Sequence, residues 1–482
     1  VVFPGSCFSL MYQFRNGAFW LGIENKLPEA LISNLNIVIS DFNQSKSERS
    51  NFDSQYQDVS DYVLTTREFQ SKSKSGNRRT TLIFDATAPD ASMRLASALT
   101  GLEVNPSLMW FGLRHQDISI NRIPEVRAWL EDTRDRIMSI FNNPDTGFYL
   151  NINELFLDLL SFGTSVMSVS PSPRIRFHTR ALSECYLRES MDGNVDSVYR
   201  EFELTARQAF KFFGERDEVA AKAFMDGKLD EKYNYLHAVF PREDGDPFKL
   251  TPQNKPFASI YIALNNGIMV KEGGFDQFPF VTPRWTKAAG EVYGRSPAMN
   301  SMPDIKMVNA MAQAEITGAQ LVASPPIQMP NSGYLGPAKL RPNGVNYYNA
   351  ATKERIEPLN LGQNLSPLND EINRVKNDIR RAFWNDILQI PENDRMTATE
   401  IIQRRNDRLQ LMAPIVGRIE QELLSKLISL QYNNLKRAGL LSEPPQELID
   451  GKLEPEFVSP LSLAQKSSNV TSIQQWINGV IL

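Results

Sequence analysis

The chain has 482 residues, 41% hydrophobic and 22% charged, a balance that suits two to four folded domains with a large apolar core. Lysine and arginine number 52 against 56 acidic residues, a formal net charge of −4, which argues against a protein whose main work is gripping nucleic acid. Two cysteines, Cys7 and Cys185, exclude a disulfide framework and a Cys-rich metal centre. No run approaches the ~18 apolar residues of a membrane span, and VVFPGSCFSLMYQF lacks the basic flank of a signal peptide, so a soluble protein made inside a cell is expected.

In chain order, residues 1–54 join an apolar start to the polar DFNQSKSERSNFDSQ and read as a loose arm. From Tyr56 the pattern turns helical until SKSKSGNRRT, where Lys72, Lys74, Arg78 and Arg79 read as a solvated loop. DATAPDASMRLASALTGLEV predicts a second helix, with apolar steps at Met93, Leu95, Ala96 and Leu99. Ile123 to Asn142 predicts a third, and the more apolar stretch from Asn151 to Phe162 a buried fourth.

Residues 174–290 change character. RIRFHTR, ECYLRES and SVYREFEL alternate like strands, with MDGN as a hairpin turn between the last two. TARQAFKFFG is a short helix with Thr205 as N-cap and Gly214 as stop. FASIYIALNNGIMVKEG is a second hairpin signal, and the paired glycines of EGGFDQF read as a turn.

Ser296-Pro297 opens a helix running to about Ala323, since proline is welcome in a first turn. Its richness in Ala, Gly and Met fits either ordinary core packing or packing against further copies of the chain. Residues 324–365 are turn-rich, with prolines at 325, 326, 330, 337, 342 and 358 and a strand-like VNYYN. Ser366-Pro367 starts a second helix, with Leu368, Ile372, Val375, Ile379, Phe383 and Ile387 in register, ending at Ile390-Pro391. After a short PENDR loop, Thr397 and Glu400 form a capping box for a long helix that runs to Ala438-Gly439. Pro414 in its middle removes a backbone donor, at about 3 kcal/mol if uncompensated, and predicts a bend.

Enzyme signatures are missing from the sequence. There is no G-x-x-x-x-G-K-[ST], H-E-x-x-H, G-x-S-x-G or C-x-x-C. His115, His178 and His237 stand apart, and acidic pairs such as Glu131-Asp132 and Asp370-Glu371 fall on solvated helix faces. No catalytic residue, metal ligand or cofactor is expected.

Several phrases, in order, resemble the portal (head-to-tail connector) proteins of short-tailed bacteriophages. They are FDATAPDASMRLASALTGLEVNPSLMWFGL, with its Trp110-Phe111 pair; ELFLDLLSFGTSVM, ending a helix at Phe162, Gly163 and Thr164; and CYLRESMDGNVDSVYREFELTARQAFKFFG. FPFVTPRW, VYGRSPAMNSMPDIKMVN, MTATEIIQRR and FVSPLSLAQ follow, so the resemblance spans roughly residues 55–470. Residues 1–54 have no recognised counterpart, and the crown part that follows FVSPLSLAQ in portals is expected to be short.

The resemblance implies an α+β, multi-region portal fold. Residues 55–295 would be a mixed wing, 296–323 the first stem helix, 324–365 a small extended clip and 366–388 the second stem helix. Residues 389–397 would be the tunnel loop, 398–439 a long kinked helix, and 440–482 the C-terminal wing and start of the crown. It further implies a dodecameric ring at the capsid vertex, a channel for packaging and ejecting double-stranded DNA, and a platform for motor and tail. Partners would be further copies of the chain, DNA held without sequence preference, the major capsid protein, a tail adaptor, the terminase motor and a scaffolding protein, with no membrane. The site residues are then Glu392, Asn393, Asp394 and Arg395 in the tunnel loop, Arg374, Arg380 and Arg381 on the stem, and Pro414 at the bend. The helix of 367–388 balances Asp370, Glu371, Asp378 and Asp386 against Arg374, Lys376, Arg380 and Arg381, a wall on which DNA would slide rather than stick. The location would be the virion, after synthesis in the host cytoplasm. The alternatives are a virion tail or capsid structural protein without a DNA channel, and an enzyme of DNA packaging, which the missing phosphate loop disfavours.

Overall fold

The structure, a computed structural model, describes residues 29–70, 79–171, 174–242, 251–323, 327–328, 334–335, 347–348, 357–358, 366–385, 411–448 and 453–458. It opens with α1 (Glu29–Tyr62), α2 (Thr87–Glu103), β1 (Phe111–His115), α3 (Pro124–Asn142), α4 (Phe148–Phe162), β2 (Val166–Val169), β3 (Phe177–Arg180), β4 (Cys185–Glu189) and β5 (Val195–Thr205). Next come α5 (Ala206–Phe213), α6 (Glu218–Met225), β6 (Lys232–Pro241), β7 (Phe257–Ala263), β8 (Ile268–Phe275) and β9 (Phe280–Val281). Then follow α7 (Pro297–Asn300), α8 (Met302–Ala323), the two-residue strands β10 (Ile327–Gln328), β11 (Tyr334–Leu335), β12 (Tyr347–Tyr348) and β13 (Glu357–Pro358), and α9 (Ser366–Ala382). The described part closes with α10 (Ala413–Ile419), α11 (Ser425–Arg437) and β14 (Leu453–Phe457). The α+β class expected from sequence holds.

The polar stretch expected as a loose arm is part of α1, the longest helix described. Val38, Phe42, Ser45, Arg49, Tyr56, Val59 and Ser60 are its buried positions, mostly at steps of three, four and seven that make one inward face. The period was present in sequence, but a serine and an arginine carry its middle. Arg49 donates to the carbonyls of Leu182 (2.8 Å), Ser183 (3.0 Å) and Cys185 (3.0 Å) and lies 3.9 Å from the Tyr186 ring centroid. It thereby satisfies backbone acceptors that would otherwise be orphaned.

Strands β4 to β8 make one antiparallel sheet in sequential order, and β3-β2-β9 a smaller one. The MDGN turn behaves as read, with Gly193 at φ 74° and Gly193 N–H bonding Ser190 O. Thr205 forms a full capping box with Gln208, and Gly214 ends α5. The paired glycines of EGGF are not a turn. They sit inside β8, where a Cβ on Gly274 would lie 2.2 Å from Pro252 O, so close packing rather than chain reversal requires glycine there. Strands β1, β2, β6 and β14 and helix α6 were not read from sequence; β1 and β14 pair across more than three hundred residues, which no local pattern announces.

The helix expected from Pro297 to Ala323 is broken at Ser301 into α7 and α8. Pro303 has no N–H to continue α7, and in the first turn of α8 it needs none. Helix α9 ends at Ala382, short of the expected 388, with Trp384 at φ 57° as the only described non-glycine residue at positive φ. Residues 386–410, including the first part (398–410) of the expected long kinked helix, lie outside the described residues. Leu411 and Met412 form a turn, and Pro414 stands in the first turn of α10, where a missing donor leaves nothing unpaired. A π-helical turn, 420–424, joins α10 to α11.

One core gathers α2, α3, α4, α10 and α11; a second gathers α1, the end of α4, α8 and α9. The two meet where FGT follows α4. Gly163 (φ 77°) faces Gly294 so closely that a Cβ on Gly163 would lie 2.4 Å from Gly294 O, and one on Gly294 2.3 Å from Gly163 O. Gly163→Ala therefore combines a left-handed backbone with a backbone overlap, and should lower stability by about 3 kcal/mol or more. A denaturant midpoint equal to that of the parent chain would contradict this.

Asp158 of α4 is wholly buried; its Oδ1 accepts from Arg67 Nε at 3.0 Å while its Oδ2 has no partner. Burial, only partly offset by Arg67, pushes its carboxyl up to about 6. Its folded value exceeds the ordinary 3.8, so its contribution to stability is complete below pH ~3.8 and fades as pH rises through ~6. Relative to Asp158→Asn, the parent chain should lose on the order of 2 kcal/mol between pH 4 and pH 7.5, measurable as diverging denaturation midpoints.

Candidate functional site

Three groups of residues give this fold its working surfaces: an anchor around Arg284, the helix pair α8–α9, and the charges that pair displays. The anchor is built from FPFVTPRW and VYGRSP. Trp285 N–H donates to Gly163 O (2.9 Å) and Ser165 N–H to Pro283 O (3.2 Å), while Gly294 N–H donates to Thr164 Oγ1 (2.7 Å). Ser296 donates through Oγ to Ser161 O (2.6 Å) and accepts from Met299 N–H (2.9 Å), so the N-cap of α7 is bolted to the end of α4.

Between these contacts lies Arg284, its side chain 4% exposed. Its guanidinium donates to both oxygens of Glu422, at 3.2 and 2.9 Å, to Gly193 O at 3.0 Å and to Glu189 Oε1; its backbone N–H also reaches Glu422 at 2.9 Å. Lys287 adds a 2.7 Å pair to Glu189. Glu422 sits in the π turn, so this irregularity aims a carboxylate into the knot. Lys426 close by is pushed below its ordinary value by burial, with Arg284 adding to the effect and Glu422 opposing it. The hub joins the β4–β5 hairpin, the approach to α7 and the C-terminal helix. Sequence reading missed it, although a lone arginine between FPFV and Trp was the available signal. Arg284→Met strips the buried Glu422 of its closest cation and leaves Glu189 only Lys287, and should cost about 3–5 kcal/mol, read as a lower thermal midpoint or loss of soluble protein.

The helix pair packs through Ile305 and Val308 of α8 and Ile372, Val375, Ile379 and Phe383 around α9, all buried. Polar ties reinforce it: Asn309 Oδ1 accepts from Phe84 N–H (2.8 Å) and Asp85 N–H (3.0 Å), and Lys376 pairs with Asp85 at 2.7 Å. Hydrogen bonds from Lys376 and Thr87 hold Asp85 below the usual carboxylate range against the opposing effect of burial. The other face of α8 is unfinished. Met307, Ala310, Ala314 and Thr317 are exposed and Leu321 half-buried, at steps of three and four.

The three arginines expected on a stem, Arg374, Arg380 and Arg381, lie on α9 among acids. Arg374 grips Glu371, with Nε at 2.9 Å, and reaches Asp378 at 3.3 Å; Arg381 also reaches Asp378, at 3.4 Å, and Arg380 donates to Asn377 at 3.0 Å. The hydrogen bond to Glu371 raises Arg374 and, reciprocally, lowers Glu371. Glu392, Asn393, Asp394 and Arg395 lie outside the described residues, as do Lys72, Lys74 and Arg78. Arg79 is described and bonds Glu68.

Among the described residues no group of His, Cys, Asp and Glu could hold a metal ion, and no helix is long and apolar enough to cross a membrane. His237 is a core residue, stacked on Tyr261 and bonded to Ser259 Oγ at 3.0 Å. Burial, with Arg200, Arg180 and Lys271 nearby, depresses it to about 3.

The chain belongs to the bacteriophage head to tail connecting protein family, whose pattern it matches over residues 36–480. It is similar to the "Probable portal protein" of Bordetella phage BPP-1, 28% identical over 457 residues, covering 92% of this chain and 82% of that relative. It is also similar to the "Portal protein" of Salmonella phage epsilon15, 27% identical over 449 residues, covering 90% and 80% respectively. A chain of the solved "Virion of native gene transfer agent (GTA) particle" aligns over 86% of this chain and 92% of that one, at 10% identity and a TM-score of 0.40, too distant to bear on the fold. The resemblance noted in sequence to portal proteins thus holds, and the class is structural rather than enzymatic.

Proposed function

We propose that copies of this chain close into a dodecameric ring at the capsid vertex, around a channel through which double-stranded DNA is packaged and later ejected. The observation that carries the reading is the outer face of α8. Its methionine, alanines and leucine stand in or near solvent on a helix whose opposite face is already packed. Small side chains admit a close neighbour, and a ring needs one face of a subunit to fit a different face of the next. On this reading α8 and α9 are the stem, and residues 324–365, with their nested pairs β10–β13 and β11–β12, the clip. Residues 55–295 form the wing, joined by the C-terminal segment from 440, which begins the crown.

The charges of α9 suit a conduit. Arginines already engaged with Glu371 and Asp378 present little net attraction to phosphate, so a duplex beside them is guided without being held. Residues 389–397 form the tunnel loop, with Glu392, Asn393, Asp394 and Arg395 toward the DNA, and the turn before Pro414 redirects the chain from the channel wall to the wing. The major capsid protein, a scaffolding protein, the terminase motor and a tail adaptor are the partners this placement requires, and synthesis in the host cytoplasm precedes assembly.

Native mass measurement and negative-stain imaging of the purified chain should give closed rings with a central opening. A stable monomer, or an assembly with no axial hole, would favour a tail or capsid component without a channel. Ala310→Glu with Ala314→Glu should shift rings toward folded monomers with an unchanged circular dichroism spectrum. Charge reversal at Arg395 should alter DNA packaging or retention while rings still form; an unchanged phage yield would count against its placement.

A further inference from the structure

Helix α1 crosses one face of the β4–β8 sheet without covering all of it. Val38 and Phe42 are buried with Tyr186, Tyr199 and Leu236, but Phe240 and Ile260, which pack against the same cluster, are only half-buried. Beside the first turns of α1 this leaves a groove of about 530 Å³. Leu35, Ile37 and Asp41 of α1 form one wall. The floor runs across four strands, from Ser197 of β5 to Glu272 of β8, with Phe240 opposite Ala258 and Ile260 opposite Glu272 in the ladders. Ile37 is 56% exposed at the rim. A continuous concave surface of this size, apolar on its floor, is a binding surface rather than a scatter of exposed side chains.

Two polar groups in the groove are unfinished. Arg242 donates from Nη2 to Glu272 at 3.1 Å, but its buried Nε has no acceptor among the described residues. An N–H withdrawn from water without an acceptor is costly, and a carbonyl brought into the groove would relieve it. Asp41 is paired with Arg188 at 2.6 Å, whereas Asp196 accepts from Ser197 Oγ at 2.8 Å and has no ion pair among the described residues.

Residues 1–28 precede α1, and Leu35 lies six residues into that helix, about 9 Å along its axis, so this stretch joins the fold at the mouth of the groove. In FSLMYQF, residues 8–14, every second residue is large and apolar: Phe8, Leu10, Tyr12 and Phe14. Extended, seven residues cover about 20 Å, close to the roughly 19 Å occupied by four neighbouring strands. Arg15, which follows, is the first charged residue of the chain. Residues 15–28 can span up to ~46 Å, so a return to the groove strains nothing.

We infer that residues 8–14 lie extended in this groove of their own chain, their apolar face on Phe240 and Ile260, a backbone carbonyl at Arg242 Nε, and Arg15 beside Asp196. A tethered segment acts at an effective concentration of about a millimolar, which favours it over the same segment of a second copy. The apolar start of the chain then completes the uncovered part of the sheet face. The inference needs neither the ring nor the channel.

Two measurements on the full chain test it. Trypsin cuts after Arg15, and a docked segment resists it because cleavage follows the population of the open form. Ile37→Glu places a charge at an exposed position of the wall; it should speed cleavage of the bond between Arg15 and Asn16 by about tenfold, followed by mass spectrometry, with an unchanged circular dichroism spectrum. Equal rates in the parent and the variant would overturn the inference. In the second, a short bismaleimide should join Cys7 to the thiol introduced by Ile37→Cys within one chain, Cys185 being buried and out of reach. No link would overturn the inference, and so would a link only between two chains, which would give the groove to a second copy's segment. If rings fail to form while the link appears within one chain, the channel reading falls and this one stands.

Discussion

Everything in the centre of this fold turns on two backbones meeting at Gly163 and Gly294 with no room for a side chain between them. The contact forces the chain after α4 to leave in a left-handed conformation and brings the approach to α7 against it. Thr164, Ser161 and Ser296 then exchange short hydrogen bonds across the seam, and the helix pair is launched from a fixed point. Arg284 lies beside this seam and can close on Glu422 and Glu189 only because the seam holds it there. Removing water from such a group is expensive, and the hub persists because each donor finds an oxygen. A movement of the C-terminal helix would therefore be felt at the base of α7 through a rigid, fully bonded connection.

The charges of the anchor and of α9 are of two kinds. Those of the anchor are buried and paired, and serve cohesion. Arg374 and Arg381 of α9 are exposed but paired along the helix at steps of three and four with Glu371 and Asp378.

Burial divides α8 into two faces. Half of it is core, held by Ile305 and Val308, and the other half presents Met307, Ala310 and Ala314 outward. That exposed apolar face, on a helix whose other side is packed, is the feature on which the proposed contact between copies rests.

Local signals alone determined much of this protein: the punctuated helices α2, α3 and α5, the MDGN hairpin, the start of α7 at Ser296-Pro297 and the amphipathic register of α9. Each rests on contacts within a few residues, where propensity, capping and hydrophobic period act together. The ordered phrases also carried the family, because FGT and VYGRSP are the two halves of one close contact. Tertiary structure decided the rest. Helix α1 hid its period behind Ser45, which bonds the carbonyl of Asp41 in its own helix, and Arg49, whose burial is stabilised by carbonyls more than a hundred residues away. The glycines of EGGF became strand because Pro252 approaches them, β1 found β14 across most of the chain, and Arg284 acquired its meaning from Glu422 and Glu189. These outcomes depend on which distant segments pack together, and a linear pattern records only what neighbours in the chain can do to one another.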